Sequence, residues 1–333
     1  MVEHAEGSGK LFRTDVVTVG GSGAPERPPA RAVARTRLRA ADGVGIEAEH
    51  RPYAGVITGG GTEAEEAAPA RLAIVVAHGF TGSLDRPAVR RVSQALARHA
   101  AVVTFSFRGH GRSGGRSTVG DREVLDLAAA VRWARSLGYR RVATVGFSMG
   151  GSVAVRHAAL FRAEDGGAED GGTGGGGHAA HEAYPGGADA HTDAVVAVSA
   201  PARWYYRGTP AMRRVHWAIQ HPLGRLVSRH WLRTRVHHRD WDPVPLSPVR
   251  AAPLIAPVPL LVVHGDRDAY FPLDHPRSLA AAADPAHTEL WIEHGFGHAE
   301  NAAPPGLLDR IGSWATARAG RPARHDGGGT TDG

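Results

Sequence analysis

From Leu72 onward, short apolar runs alternate with segments whose apolar residues recur every three or four positions. The runs Leu72–Ala77, 101–107, Arg141–Phe147, Ala194–Val198, 259–263 and 288–292 have the length of buried strands. Between the first two, residues 85–99 read as a helix, with Val89, Val92 and Leu96 on one face and Pro87 tolerated in the first turn. Residues 122–137 form a stronger helical pattern through Val124, Leu127, Val131 and Ala134, and Gly138 is its expected stop. A helix over 148–161 follows the third run at once, and helices over 273–283 and 307–318 complete the series. Upstream, alternating residues around Leu38 and from Gly45 to His50 flank Asp42-Gly43, which predicts a hairpin. Alternation of strand and helix from 72 to 318 predicts an α/β fold: a mostly parallel sheet covered on both faces, with chemistry at the carboxyl ends of the strands.

Composition marks where this pattern stops. The chain has 44 glycines and 22 prolines in 333 residues, about a fifth against a usual ~12%. Much of the excess is local. Residues 1–35 are expected to be a disordered tail, 162–192 (with G-G-T-G-G-G-G-H-A-A-H) a flexible insertion, and 319–333 a second disordered tail, leaving 36–318 as one domain. No apolar run approaches the ~18 residues that a membrane-spanning helix needs. The first residues lack the apolar stretch of a secretory signal, so the cytoplasm is the expected compartment. The absence of cysteine excludes disulfides, thiolate catalysis and Cys-bound zinc. The net charge of +6 is carried by arginine, Lys10 being the sole lysine. Arginine suits phosphate, but the charge balance alone identifies no partner, and no nucleic-acid partner is expected.

The most informative string is Gly146-Phe147-Ser148-Met149-Gly150, between a Val-rich strand and an Ala-rich helix. It is the G-x-S-x-G pattern in the strand–turn–helix setting the pattern requires. Glycines permit a turn too tight for side chains, and the helix N-terminus favours a developing anion near the Ser148 hydroxyl. A serine needs a base, and His298 follows the last strand within Gly295-Phe-Gly-His298. A base needs an orienting acid, and His264-Gly-Asp266-Arg-Asp268 ends the fifth run. Asp266 and Asp268 compete for that role, and Asp266 alternatively braces the loop. Ser148, Asp268 and His298 stand in the order Ser, Asp, His. Oxyanion donors are expected from the backbone of Met149, after the serine, and of Phe80, in the loop His78-Gly-Phe80-Thr-Gly82.

With these strings in place, the chain resembles an α/β-hydrolase fold serine hydrolase of the bacterial esterase type over about residues 36–318. H-G-F-T-G-S (78–83), R-G-H-G-R-S (108–113), G-F-S-M-G-G (146–151), H-G-D-R-D-A-Y-F-P (264–272) and G-F-G-H (295–298) stand in the family's order. The resemblance implies Ser148 as nucleophile, His298 as base, Asp268 as acid, and Phe80 and Met149 as the oxyanion hole. It implies a small-molecule acyl substrate, and no cofactor is expected; with no H-E-x-x-H string in the chain, no required metal is expected either. The chain departs from the family at Ser106, where an acid two residues before Arg108 is usual, so whatever brace that acid provides is absent or replaced.

Residues 201–252 are read as irregular. They hold four of the seven tryptophans and ten arginines against Asp240 and Asp242, where related hydrolases insert a cap. Trp204 and Trp217 are candidate substrate contacts under such a lid; the alternative is a docked structural excursion with solvated arginines. Gly109 to Gly114 also fits G-x-G-x-x-G, but a dinucleotide site needs a helix opening inside that loop, and the helical pattern starts only near Arg122. His178 and His181 lie in the Gly-rich insertion, and adjacent His237 and His238 would point apart on a strand or helix. The functions weighed are an ester or related acyl hydrolase (including thioesterase or perhydrolase), an acyltransferase on the same fold, and a non-catalytic Arg-rich binding protein.

Overall fold

The computed structural model of the protein describes residues 32–55, 71–163 and 188–320. Eight strands form one sheet: β1 (Ala34–Arg39), β2 (Gly45–Arg51), β3 (Leu72–Ala77), β4 (Ala101–Phe105), β5 (Arg141–Phe147), β6 (Ala194–Val198), β7 (Leu260–Gly265) and β8 (Thr288–Glu293). Their spatial order is β1-β2-β4-β3-β5-β6-β7-β8. β1 pairs antiparallel with β2, and β2 antiparallel with β4; every later pairing is parallel.

The helices are α1 (Pro87–Leu96), α2 (Glu123–Ser136), α3 (Met149–Leu160), α4 (Pro210–Gln220), α5 (Pro222–His230), α6 (Pro248–Ala251), α7 (Asp274–Ala282), α8 (Ala299–Ala302) and α9 (Pro305–Ala319). The two-residue period of the strands divides the core. Ala73, Val75 and Ala77 of β3 face one cluster, together with Val124 and Val131 of α2 and Val153 of α3. Leu72, Ile74 and Val76 face the other, with Val92 and Leu96 of α1 and Leu308 and Ile311 of α9. Both faces of β3 are fully buried. That burial explains its unbroken apolar run, each of its Leu, Ile and Val side chains contributing about 1.5–3 kcal/mol. Gly138, at φ +97°, ends α2 in a conformation that a side chain would strain.

The order in which strands are added reverses at β3: β4 lies on one side of it, and β5 to β8 lie on the other. The loops leaving β3 and β5 therefore diverge at a shared point, where Ala77 is in register with Gly146. Such a switch point is a crevice at the carboxyl edge of the sheet. β7 and β8 also end in register, Gly265 opposite Glu293, so their following loops are neighbours.

The observed elements correct several expectations. β4 ends at Phe105 rather than 107, and α1 is shorter at both ends than residues 85–99. The stretch read as irregular, 201–252, contains α4, α5 and α6. Each of these starts with proline, and although Met212, Val215 and Ile219 of α4 and Leu223, Leu226 and Val227 of α5 recur at helical spacing, none of them is a core residue and arginines interrupt the runs, which masks the helical signal. β1 begins at Ala34, two residues inside the expected tail. Ala188–Ala190 form a 3-10 turn and Thr192 is buried, so the end of the expected insertion is ordered. The remainder of that insertion, including His178 and His181, and most of both expected tails lie outside the described residues. His237 and His238 do not point apart; their rings stack at 4.9 Å in an irregular segment. Among the described residues, no helix is long and apolar enough to cross a membrane.

Candidate active site

Ser148 joins β5 to α3 with φ +51° and ψ −116°, a conformation that costs about 1–3 kcal/mol for a residue with a Cβ. Close packing on both sides imposes it. A Cβ on Gly146 would collide with the Gly150 carbonyl, and one on Gly150 would collide with the Ala77 carbonyl. The Ser148 amide donates to Val198 O at 2.8 Å, tying the turn to β6.

The loops after β7 and β8 bring two further side chains to this turn. His298 Nε2 lies 3.0 Å from Ser148 Oγ, and His298 Nδ1 lies 2.7 Å from Asp268 Oδ2. The carboxylate can only accept, so Nδ1 carries the proton and Nε2 is left to accept from the serine hydroxyl. Asp268 is fully buried, and its Oδ1 accepts from the amides of Tyr270 and Phe271 at 2.8 and 3.1 Å. Burial pushes the Asp268 carboxyl up. The His298 hydrogen bond and charge and the Tyr270 amide outweigh that, holding it below the ordinary carboxylate range. Asp266 is turned elsewhere: its Oδ2 is 2.7 Å from His294 Nδ1, and its Oδ1 accepts from the Gly295 amide at 2.7 Å.

The 78–82 loop stands against the same serine. His78 is buried, and its Nε2 accepts from the Phe107 amide at 3.0 Å, so its Nδ1–H donates to Gly79 O at 2.7 Å. Burial, with the nearby His110, lowers the His78 pKa to about 3, so the ring stays neutral. The other side of Gly79 is held too: its amide donates to Glu300 Oε1 at 3.0 Å. Among the described residues, neither the Phe80 nor the Met149 amide has an acceptor.

A sequence profile described as the alpha/beta hydrolase fold matches residues 73–165. Among solved structures, the chain is similar to the Pyrococcus furiosus esterase Pf2001, at 20% identity and a TM-score of 0.59, over 87% of this chain and 94% of that one. The alpha/beta hydrolase GrgF from Penicillium sp. sh18 gives 15% identity and a TM-score of 0.58, over 87% and 100%. The esterase domain of a Rhodothermus marinus protein gives 18% identity and a TM-score of 0.53, over 86% and 100%. No curated protein matches by sequence. The chain has the α/β-hydrolase fold.

Within this α/β-hydrolase fold, α4 and the segments around it wall a cleft of about 600 Å3 that opens onto Ser148 and His298. Phe80, Met149, Trp204 and Trp217 all line it, beside Val119, Met212, Val215, Ile219, Leu232 and Trp241. Trp204 is fixed by its indole N–H, which donates to Pro245 O at 2.9 Å, and by Trp241, whose ring centroid is 5.1 Å away. Trp217 stays half exposed at the mouth. Among the described residues, no group of three or more His, Asp or Glu is arranged to hold a metal ion.

Several residues at the site were not anticipated. Tyr270 stacks on the His298 ring at 4.2 Å, although it lies inside the H-G-D-R-D-A-Y-F-P string. Glu300, two residues after His298, is buried beside the cleft, and its Oε2 has no partner. Burial pushes its carboxyl above the ordinary value, despite the opposing hydrogen bonds from its own and the Gly79 amide. An acid following His-Ala was the available signal. The brace missing at Ser106 is replaced. Arg108 makes hydrogen bonds of 2.8–3.1 Å to buried Asp126 of α2 and of 2.6 and 3.1 Å to Asp42 of the hairpin turn. Ser106 Oγ instead donates to Glu47 at 2.9 Å. The G-x-G-x-x-G match carries no phosphate site. The N-terminus of α2 is occupied by its own Glu123, which accepts from the amides of Thr118 and Gly120 and from the hydroxyls of Ser117 and Thr118.

Proposed function

We propose that the protein is a serine hydrolase that cleaves esters of apolar acyl groups, with Ser148 as nucleophile, His298 as base and Asp268 as orienting acid. The observation that carries this reading is the continuous hydrogen-bond chain from Ser148 Oγ through both ring nitrogens of His298 to Asp268. As the Ser148 oxygen attacks the ester carbonyl, its proton passes to Nε2. The oxyanion of the tetrahedral intermediate accepts from the Phe80 and Met149 amides. Collapse breaks the ester C–O bond, and His298⁺ gives its proton to the departing alcohol. Water, deprotonated by the same nitrogen, then attacks the acyl-enzyme and releases the carboxylic acid and free Ser148.

The clamp on Gly79 supports the oxyanion role of its neighbour. The Gly79 carbonyl, which shares a peptide plane with the Phe80 amide, accepts from His78, and the Gly79 amide, in the preceding plane, donates to Glu300, so Gly79 is fixed on both sides and the donor needs little reorganisation during reaction. Trp204, Trp217, Met212 and Val215 support an apolar acyl chain in the cleft.

The test is hydrolysis of nitrophenyl esters of graded chain length by wild type and Ser148→Ala. Turnover that Ser148→Ala abolishes without loss of fold supports the reading; equal turnover by the variant rejects it.

A further inference from the structure

α5 is amphipathic in the inverse sense of an ordinary surface helix. Its inward positions are the small residues Gly224 and Ser228, both buried. A Cβ at Gly224 would meet the backbone of Trp217 and Ala218, so α4 and α5 pack backbone to backbone there. The large apolar residues lie on the other face. Leu223 is 60% exposed, Leu226 52%, Val227 42%, and Trp231, one residue past the helix, 83%. Leu223, Leu226, Val227 and His230 fall within one side of the helical repeat, so the exposed apolar groups form a patch rather than scattered points. A soluble surface helix normally turns such residues inward.

The chain on either side of this helix is basic, Asp240 and Asp242 being the first acids after it. From Arg203 to Arg239 the chain has nine arginines and no acidic residue. Arg229 and Arg233 are exposed, and among the described residues neither of them is in an ion pair. Leu and Trp outward, with arginines at the flanks and a polar interior side, is the composition of a helix that lies in a lipid headgroup layer. The patch is also continuous with the cleft. α4 packs against α5, and Trp217 of α4 is half exposed while lining the cleft mouth.

We propose that the outer face of α5, with Leu223, Leu226, Val227 and Trp231 as the apolar wedge and Arg229 and Arg233 as phosphate contacts, docks the protein onto an anionic phospholipid surface. The apolar side chains enter the headgroup–acyl boundary, and the guanidinium groups pair with lipid phosphates. This docking does not depend on the chemistry proposed for Ser148.

The test is vesicle flotation of the full-length protein, with phosphatidylglycerol–phosphatidylcholine vesicles against phosphatidylcholine alone, at low and high salt. The expected result is binding to the anionic vesicles that weakens with salt. Leu223→Ser/Leu226→Ser/Trp231→Ser should lose that binding while its circular dichroism melting temperature shifts by only a few degrees, because each of these side chains is more than half exposed in the fold. Arg229→Gln/Arg233→Gln should weaken it about twenty-fivefold, roughly fivefold per arginine. The proposal is overturned if wild type stays with the aqueous phase, or if binding is indifferent to lipid charge. It is also overturned if the leucine–tryptophan variant binds as wild type does. A wild-type dimer that this variant converts to monomer overturns it too, since a second copy then covers the face.

Discussion

Asp268 holds His298 by a 2.7 Å hydrogen bond, while Asp266, only two residues earlier, is spent on His294 and the Gly295 amide. The chain direction between them separates two carboxylates that the sequence leaves equivalent. Asp268→Asn keeps the shape but can present an N–H to His298 Nδ1, which favours the tautomer unable to take the serine proton. Ester turnover should fall by about four orders of magnitude. Asp266→Asn should leave kcat within about threefold and lower the melting temperature by a few degrees. Steady-state kinetics of the two variants separates the roles.

Glu300 is an acid whose pKa is raised by burial, so the folded state binds its proton more tightly than the unfolded chain does. Stability therefore falls as pH rises from the ordinary glutamate value through the raised one. Glu300→Gln retains an oxygen for the Gly79 amide and removes the titration. It should be more stable than wild type in mildly alkaline buffer, with the difference shrinking as the buffer becomes acidic. Urea midpoints measured across that range check the sign.

The Ser148 turn depends on contacts that leave no space for a methyl group. Gly150→Ala puts a Cβ against the backbone of Ala77 and His78, which belong to the central strand and its loop and have nowhere to move. The expected cost is about 3 kcal/mol or more. Soluble yield and melting temperature should both drop, and any folded fraction should have lost esterase activity.

Arg108 is buried between Asp126 and Asp42, and burial alone would disfavour its charge; the two carboxylates outweigh that and hold its pKa up. Asp126→Asn removes the better buried partner and leaves the guanidinium short of charge. The expected loss is about 3–5 kcal/mol by denaturant titration. Asp42→Asn, at the more exposed turn, should cost less than half as much.

The strands of the sheet were legible because burial on both faces leaves an unbroken apolar run, and Leu72–Ala77, Arg141–Phe147 and Ala194–Val198 are observed with the predicted ends. The serine turn was legible because the close approach at Gly146 and Gly150 requires glycine. α4 and α5 were not. Their apolar residues recur at helical spacing, but the stripes are broken by arginines and line a cleft or face outward, and their prolines read as interruptions rather than first-turn residues. Partners distant in sequence were hidden for a related reason. Asp126 for Arg108, and Glu300 for Gly79, are joined by sheet topology, and nothing local marks either acid as a neighbour of the group it binds. The choice between Asp266 and Asp268 likewise needs the register of β7 with β8.

The central claim is that Ser148 is a nucleophile activated by His298. Its most direct test is mass spectrometry of the intact and digested protein after exposure to a fluorophosphonate probe. The account predicts one adduct per chain, located on Ser148, and loss of labelling in both Ser148→Ala and His298→Ala. An unlabelled wild type, or an adduct on a different residue that survives Ser148→Ala, would contradict it.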